Sequence, residues 1–238
     1  MRLEPPAQES YPRGMENSKA FFEELSANYD AVFRRLVSPF PTMLQIMFDS
    51  LPPGFKPNRV LELGCGTGNL TKVINNCWPD CELVVVDLSR VMLEKTRDKT
   101  HHQNLRMIES SFVDLEFDAD SFELVTSSLA IHHLLDPEKI TLFRNIHRWL
   151  RPGGVLVFND CVRAESQRLY QLAEKQWIDL ALEKGLTRAE MDAQIQHHRQ
   201  HDHYPVLIDL ANWLKEIGFT EVDILWRFCI WGVLYGSK

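Results

Sequence analysis

The sequence contains no apolar run that approaches the roughly 18 to 20 residues needed to cross a bilayer. Its first residues also lack the apolar core of a signal peptide. Cysteine is scarce, with five in 238 residues, and no two of them are spaced as Cys-x-x-Cys. We therefore expect no membrane association, and we expect reduced thiols in a cytoplasmic protein rather than a framework of disulfides.

A long stripe of lysine and arginine is also missing. The chain has 26 basic and 33 acidic residues, which gives a net charge of −7. This balance disfavours the phosphate backbone of a nucleic acid as a partner. The hydrophobic fraction of 45% and the charged fraction of 25% are ordinary for a globular protein. At this length the chain can bury a sizeable core, as one large α/β domain or as a domain with an elaborate insert.

The most informative feature that is present is a glycine-rich turn between an apolar run and a helical pattern. Val60, Leu61 and Leu63 form a run typical of a buried strand, and glycines follow at positions 64, 66 and 68. A helical pattern begins at Leu70. Strand, glycine turn and helix in this order form a nucleotide-binding crevice. Glycine is needed there because it permits backbone angles and a close approach that a Cβ would block.

The spacing of the glycines indicates which nucleotide is bound. A dinucleotide fingerprint would need a third glycine where Asn69 stands, and a phosphate loop would need Gly-Lys-Ser/Thr, which is absent. Residues 62–68 resemble motif I of the class I S-adenosylmethionine-dependent methyltransferases at every position. The resemblance implies S-adenosyl-L-methionine as cofactor, held by Glu62, Gly64, Cys65, Gly66 and Gly68. This ligand has no phosphate, so an acidic residue beside the glycines is acceptable.

An acidic residue ends the second predicted strand. Residues 82–87 form an apolar run that closes on Asp87, and an acid at that strand end lies beside the glycine turn, where its carboxylate can accept both ribose hydroxyls. The alternative is an acid that only caps the next helix. Ser89 is a plausible N-cap of that helix. The resemblance makes Asp87 motif II and places Leu88 and Met92 near the adenosine.

The third and fourth predicted strands, residues 104–109 and 121–128, supply further cofactor residues. The family usually has an aspartate at the position of Ser111, where it reaches the adenine amino group. This departure leaves the adenine contact to the serine hydroxyl, a backbone carbonyl and packing by Phe112. Ser128, at the end of the fourth strand, completes the set.

A helical pattern runs from Glu16 to the residue before Pro39. Within it, residues 27–30 resemble the Tyr-Asp element that precedes motif I in many small-molecule methyltransferases, where the tyrosine helps to close the site. Tyr29 is therefore a predicted cofactor residue. The alternative is that it is simply an aromatic residue of the core.

Two adjacent histidines follow the fourth strand. Residues 129–134 resemble motif IV of the superfamily in its His-His-Leu form, which puts His132 and His133 at the carboxyl edge of the sheet. His132 could act as a general base near neutral pH. Alternatively, one histidine only hydrogen-bonds backbone and the other faces solvent. Methyl transfer often needs only proximity and alignment, so no base is obligatory.

Residues 161–205 interrupt the alternation of strands and helices. One long helix ended by Gly185 and a second begun by the capping-box pattern of residues 187–190 would form a cap that selects the substrate. The cap ends in a histidine-rich segment, residues 197–204, in which His203 and Tyr204 are candidates for substrate contact. A metal site on His198 with His201 or Asp202 is conceivable, but the spacing matches no ligand signature. We predict no metal site.

The C-terminal part predicts a helix over 208–217, a stop at Gly218 and strands at 219–225 and 228–235. The resemblance makes these strands an antiparallel hairpin.

The predicted fold is α/β, a doubly wound, mostly parallel seven-stranded sheet of the Rossmann-like methyltransferase type. A tail and helices over 1–55 close the site, and the methyltransferase domain spans 56–238. A sharp turn at residues 151–154, in which Gly153 and Gly154 supply positive φ, leads into the fifth strand.

The predicted function is transfer of a methyl group from S-adenosyl-L-methionine to a small-molecule acceptor by in-line displacement. A homodimer is left open. Residues 226–236 also resemble the carboxy-S-adenosylmethionine synthase group, which uses an arginine in the cap to hold the extra carboxylate. That position falls near Ile195 here. The third alternative is a non-catalytic module that binds an adenosyl ligand as a sensor or partner subunit.

Overall fold

A computed structural model describes residues 29–238 of the chain. The predicted tail and most of the predicted N-terminal helix, including its start at Glu16, lie outside the described residues. The described part of that helix begins at Tyr29, and the structure does not describe the side chain of this residue. Among the described residues no helix is both long enough and apolar enough to span a membrane.

Helices and strands alternate through most of the described chain. In chain order the elements are α1 (Tyr29–Leu36), α2 (Phe40–Asp49), β1 (Arg59–Leu63), α3 (Asn69–Cys77), β2 (Glu82–Asp87), α4 (Arg90–Thr100), β3 (Leu105–Glu109), β4 (Phe122–Ser128), α5 (Asp136–Trp149), β5 (Leu150–Cys161), α6 (Gln167–Glu183), α7 (Arg188–His201), α8 (Leu207–Ile217), β6 (Thr220–Phe228) and β7 (Trp231–Ser237). Short 3₁₀ turns at Phe112–Asp114 and Ile131–His133 follow β3 and β4.

The seven strands form one sheet in the order β3-β2-β1-β4-β5-β7-β6. Strands β1 to β5 pair in parallel, and β7 pairs antiparallel with both β5 and β6. The predicted seven-stranded, mostly parallel sheet with a C-terminal antiparallel hairpin is confirmed. The strand order reverses between β1 and β4, and a crevice forms beyond the carboxyl ends of the strands at such a point.

Burial on both faces explains the unbroken apolar runs of the central strands. In β2, Leu83 and Val85 belong to the hydrophobic cluster on one face, whereas Val84 and Val86 belong to the cluster on the other. All four residues have no exposed surface. A strand covered by helices on both sides has no polar face, so its sequence is continuously hydrophobic.

The entry into β5 differs from the predicted turn. The strand begins at Leu150, which pairs with Phe122, and the next pair joins Val155 to Leu124, so residues 151–154 form a long bulge in the strand. Of the two glycines only Gly153 has a positive φ, of +77°. Gly154 is required for another reason, because a Cβ there would lie 2.9 Å from the carbonyl oxygen of Arg151.

The C-terminal hairpin turns later than predicted. Phe228 ends β6 rather than beginning β7, and Cys229, with a φ of +49°, lies in the turn. Irregular register in β6 accounts for the extra length of that strand. The error arose because the turn residues, Cys229 and Ile230, are apolar like the strands on either side, so no polar or glycine residue marks the turn.

Helices α6 and α7 are inserted between β5 and α8, as predicted, and they contact α1. The capping box at the start of α7 joins Thr187 and Glu190 in both directions. Arg35 of α1 donates hydrogen bonds to the carbonyl of Gly185, 2.8 Å away, and to the carboxylate of Glu190, 3.2 Å away. These contacts hold the described N-terminal helix against the inserted pair.

Candidate active site

The turn after β1 is a glycine-rich bend that is held against β2. The amides of Gly64 and Cys65 both donate to the carbonyl of Val86. Gly64 has a φ of +73°, and a Cβ there would lie 2.2 Å from the Cβ of Ala130. The close approach of the loop after β4 therefore requires glycine at this position, because no other residue fits.

Asp87 at the end of β2 faces this bend. Its Oδ2 accepts a hydrogen bond from the amide of Gly66 at 2.8 Å, and its Oδ1 accepts one from the amide of Ser89 at 2.9 Å. The Ser89 hydroxyl in turn caps α4 by accepting from the amide of Met92. Asp87 therefore both supports the helix start and lies beside the glycine turn, and its contact with the ribose stays a prediction.

Glu62 is buried beneath the bend. The residue is 1% exposed, and its Oε2 has no hydrogen-bond partner among the described residues. Burial, reinforced by the nearby charge of Asp87, raises the pKa of Glu62 to about 8. With this pKa the carboxyl is mostly protonated at neutral pH. A cation that enters beside it would stabilise its ionised form.

A pocket opens over the bend and contains about 1010 Å³ of space, including its mouth. Ten predicted cofactor residues line it: Glu62, Gly64, Cys65, Gly66, Asp87, Leu88, Met92, Ser111, Phe112 and Ser128. Gly68 does not line this pocket; its left-handed backbone lets α3 start against α4. The structure does not describe the side chain of Tyr29, so its contact with the cofactor stays a prediction.

A polar network ties α1 to the mouth of this pocket. Asp30 accepts hydrogen bonds from the hydroxyl of Thr67 at 2.7 Å, the amide of Asn69 at 3.2 Å and the ammonium of Lys99 at 2.7 Å. Partial burial raises the pKa of Asp30, but the hydrogen bonds outweigh it and hold the pKa below its usual value. The acidic residue of the Tyr-Asp element thus anchors the helix to the glycine turn.

A second pocket adjoins the first and shares Phe33, Leu129 and His133 with it. Its walls come from β5, α1, the inserted helices and the turn between β6 and β7; they include Val32, Leu36, Cys161, Trp177, Gln194, His197, His198, Tyr204, Ile230 and Trp231. Leu129 lies between the two pockets and has a φ of +54°. This conformation is rare for a branched apolar residue, and such strain is concentrated at functional sites.

His132 is buried at the inner end of the second pocket. Its Nδ1 lies 2.5 Å from Oδ1 of Asp160, which also accepts from the amide of Cys161 at 2.8 Å. Burial alone would lower the pKa of His132, but the charges of Asp160 and Asp202 raise it above its usual value. The carboxylate of Asp160 fixes the ring, so that Nε2 faces the pocket side.

Asp202 lies among four histidines. Its Oδ1 is 3.1 Å from Nδ1 of His133 and 3.8 Å from Nε2 of both His132 and His197, and its Oδ2 is 3.6 Å from Nδ1 of His198. The Asp202 side chain is 6% exposed. Burial would raise the pKa of Asp202, but the charge of His132 and contacts with the other histidines lower it.

His203 and Tyr204, the other predicted catalytic residues, have different positions. The amide of His203 donates to the carbonyl of His132 at 2.9 Å, but its side chain is exposed and lines neither pocket. Tyr204 lines the second pocket and stacks on His198 with ring centres 3.9 Å apart. The structure therefore brings Tyr204 together with His132 and leaves the imidazole of His203 outside.

A buried lysine links the loop after β4 to the end of the inserted helices. The Lys139 ammonium donates to the carbonyls of Leu134 and His203, both at 2.6 Å, and to a carboxylate oxygen of Asp136 at 2.9 Å. The lysine is completely buried. It fixes the distance between the His-His-Leu segment and Asp202.

Comparisons with known proteins agree with this arrangement. Residues 60–154 match a family model described as a methyltransferase domain. An uncharacterized methyltransferase of Oceanobacillus iheyensis is 23% identical over 198 residues, 83% of this chain and 84% of the relative. A carboxy-S-adenosyl-L-methionine synthase of Stutzerimonas stutzeri is 24% identical over 222 residues, 88% of each chain. These matches indicate a methyltransferase domain in this chain, and the chain is similar to the S-adenosylmethionine-dependent methyltransferases.

Solved structures show the same fold. A methyltransferase of Thermotoga maritima described as a possible histamine N-methyltransferase has a TM-score of 0.64 at 17% identity, over 92% of this chain and 99% of the other. This likeness shows that the fold is the Rossmann-like one predicted from the sequence. The domain match and the methyltransferase relatives support an enzyme that uses S-adenosyl-L-methionine.

Sequence reasoning did not single out several residues of the methyltransferase's pockets. Asp160 is one of them, although it is the penultimate residue of β5, at the carboxyl edge of the sheet where Asp87 ends β2, and that position was a usable signal. Trp177 and Phe33 also line the second pocket, and both lie within helical patterns that gave them no separate signal. Their place in a pocket wall depends on which helices meet, which local spacing does not show.

Proposed function

We propose that this methyltransferase transfers a methyl group from S-adenosyl-L-methionine, bound in the first pocket, to a small molecule bound in the second. The main observation in support of this proposal is that the two pockets share Phe33, Leu129 and His133 and therefore adjoin. A donor and an acceptor in adjoining pockets can be aligned for in-line displacement, which is the main requirement of this reaction.

The first pocket fits this cofactor in shape and in charge. The bend at Gly64 leaves backbone surface for the ligand, and the unpaired buried oxygen of Glu62 suits its positive charge. Asp87 would accept the ribose hydroxyls, while Ser111 and Phe112 would contact the adenine. The cofactor supplies an electrophilic methyl group on a sulfonium. The residues of the chain hold and orient it.

In the second pocket the residues of the chain would position the acceptor and exclude water. Trp177, Ile230 and Trp231 provide apolar walls, and His132 and Tyr204 form the polar inner end. Residues 161–205, which include α6 and α7, would then act as the cap. We assign His132 to the acceptor side because its Nε2 is turned away from Asp160.

A carboxylated donor is the second candidate. It would add a negative charge inside the first pocket, where a basic partner would be needed. Among the described residues that line this pocket there is no lysine or arginine, and Ile195 packs against the hydrophobic core. These observations favour the unmodified cofactor. A non-catalytic sensor would bind the cofactor and transfer no methyl group.

The test is calorimetric titration of the purified chain with S-adenosyl-L-methionine, followed by incubation with a panel of small amines, alcohols, thiols and carboxylates. Mass spectrometry of products and assay of S-adenosylhomocysteine then report transfer. We expect binding and at least one methylated product. An absence of binding at millimolar cofactor would overturn the proposal, and a carboxymethylated product would support the second candidate. Asp87→Ala should weaken binding, whereas Asp223→Ala, an exposed carboxylate on β6, should not.

A further inference from the structure

The histidines around Asp202 are arranged like the ligands of a metal ion. The ligand atoms of His132, His133 and Asp202 all lie within 4.8 Å of one another. The two distances to Oδ1 of Asp202 are 3.8 Å and 3.1 Å. Ligands of a four-coordinate ion with bonds of about 2 Å stand roughly 3.3 Å apart, so small side-chain rotations would close the set around an ion.

We propose that His132 Nε2, His133 Nδ1 and Asp202 Oδ1 bind one divalent transition-metal ion at the inner end of the second pocket. Two imidazole nitrogens and one carboxylate oxygen form a donor set that Zn²⁺ accepts in sites with an open fourth position. The adjacent pair His132 and His133 comes from the 3₁₀ turn after β4, and Asp202 follows α7.

The surroundings of His132 are those of a metal-bound histidine. Such histidines nearly always donate their other ring N–H to a carboxylate, a backbone carbonyl or water, which fixes the tautomer and makes the ligating nitrogen more basic. His132 does this through Nδ1 to Asp160, and Asp160 is itself held by the amide of Cys161. The Nε2 lone pair is then directed toward Asp202.

The surroundings of the Asp202 carboxylate also suit a bound cation. Its Oδ1 is buried, and its contact at 3.1 Å with Nδ1 of His133 is too poorly aligned for a hydrogen bond. Its Oδ2 faces His198, whose Nε2 lies 2.7 Å from the hydroxyl of Tyr170. One oxygen is therefore directed toward the ring of His198, and the other remains for the ion.

The charge balance supports the same conclusion. Asp160 and Asp202 are two buried carboxylates, and an isolated buried charge is strongly unfavourable. Lys139 is the nearest buried ammonium, but it is engaged with Asp136 and two carbonyls. A divalent ion bound by neutral histidines would neutralise both carboxylates at once.

The open position of the ion would face the second pocket, since all three ligand residues line it. The ligand it takes there is a molecule with an oxygen or nitrogen donor. If the proposed function holds, that molecule is the methyl acceptor, and this part of the inference rests on it. Metal binding itself does not depend on the reaction, so the two can be tested separately.

The test uses the full chain stripped of metal by a chelator. Zn²⁺ is titrated in competition with a chromophoric chelator, and Co²⁺ is added to a second sample to record its visible absorption. We expect one ion per chain and the strong visible bands of four-coordinate Co²⁺. Asp202→Asn should weaken Zn²⁺ binding at least about 100-fold, and Asp160→Asn, which removes only the outer support, about 10- to 100-fold.

His201→Ala is the matched control, because His201 is on the same helix end but outside the set; its affinity should stay within about twofold of the original chain. Cofactor titration checks the fold, since Asp202 does not line the first pocket and Asp202→Asn should still bind S-adenosyl-L-methionine. The proposal would be overturned if the unmodified chain bound no ion, or if Asp202→Asn bound Zn²⁺ as tightly as the original chain. The histidines and carboxylates would then form only a buried cluster of ion pairs. Metal binding without cofactor binding would instead defeat only the proposed function.

Discussion

The protonation of Glu62 allows a quantitative prediction for the variant Glu62→Gln. The pKa of this carboxyl is raised from 4.5 to about 8 by burial and by Asp87. Keeping it neutral in the folded state at pH 7 therefore costs stability, because the unfolded chain would ionise it. The difference of 2.5 units between pH 7 and 4.5 corresponds to about 3 kcal/mol. Glutamine has a similar shape and carries no such cost.

The sign of the effect follows from the raised pKa. The folded chain binds the extra proton between pH 4.5 and 8, so the stability of the original chain falls as pH rises through that window. We expect Glu62→Gln and the original chain to be about equally stable below pH 4.5. The variant should gain about 3 kcal/mol at pH 7 and up to about 5 kcal/mol above pH 8.

Urea unfolding at a series of pH values between 4 and 8.5 measures this difference, with the exposed Glu94→Gln as control. A stability difference that does not change across the window would refute the argument, because it would mean that Glu62 titrates normally. A smaller slope with the same direction would mean that water reaches the carboxyl.

The same carboxyl should couple cofactor binding to pH. A positively charged ligand favours the ionised form, so binding at pH 7 should release protons and become tighter as pH rises toward 8. Calorimetry in two buffers of different ionisation enthalpy measures the released proton. Glu62→Gln should bind the cofactor about 10- to 100-fold more weakly. Greater stability would thus accompany weaker binding, as at other sites that are strained for function.

Three further substitutions test the other structural claims. Gly64→Ala should abolish cofactor binding, because its Cβ would collide with Ala130. The control is Gly54→Ala, where φ is a similar +74° but the Cβ would meet nothing. This control should lower the free energy of unfolding by only about 1 kcal/mol and should bind the cofactor normally by calorimetry. Lys139→Met should lower the free energy of unfolding in urea by about 2 kcal/mol, since it leaves carbonyls unpaired; a loss under half of this would contradict its role. Thr187→Ala should lower the melting temperature through a loss of about 1 kcal/mol of helix capping, and Thr187→Ser should restore it.

Much of the fold could be predicted because it depends on local spacing. Residues 82–87 were predicted as a strand, and the structure has that strand at the same bounds. The helix after Gly64, Gly66 and Gly68 begins one residue before the predicted Leu70. Elements whose ends depend on a partner strand were less accurate. The bulge before β5 and the turn after Phe228 are set by register with neighbouring strands, and no local signal marks them.

The sequence by itself determined the first pocket, because its main parts are neighbours along the chain or end adjacent strands. Glu62, the glycines and Asp87 lie within 26 residues of one another, and glycine geometry and parallel pairing place them together.

Only the tertiary structure decided the second pocket. His132 meets Asp160, 28 residues further along the chain, and Asp202, 70 residues further, through contacts made by Lys139 and the inserted helices. Distance along the chain carries no information about such a meeting. Burial also changes the chemistry of the side chains it encloses: it turns Glu62 from an ordinary acid into one with a pKa of about 8. These properties arise from packing and desolvation, which exist only once the chain has folded.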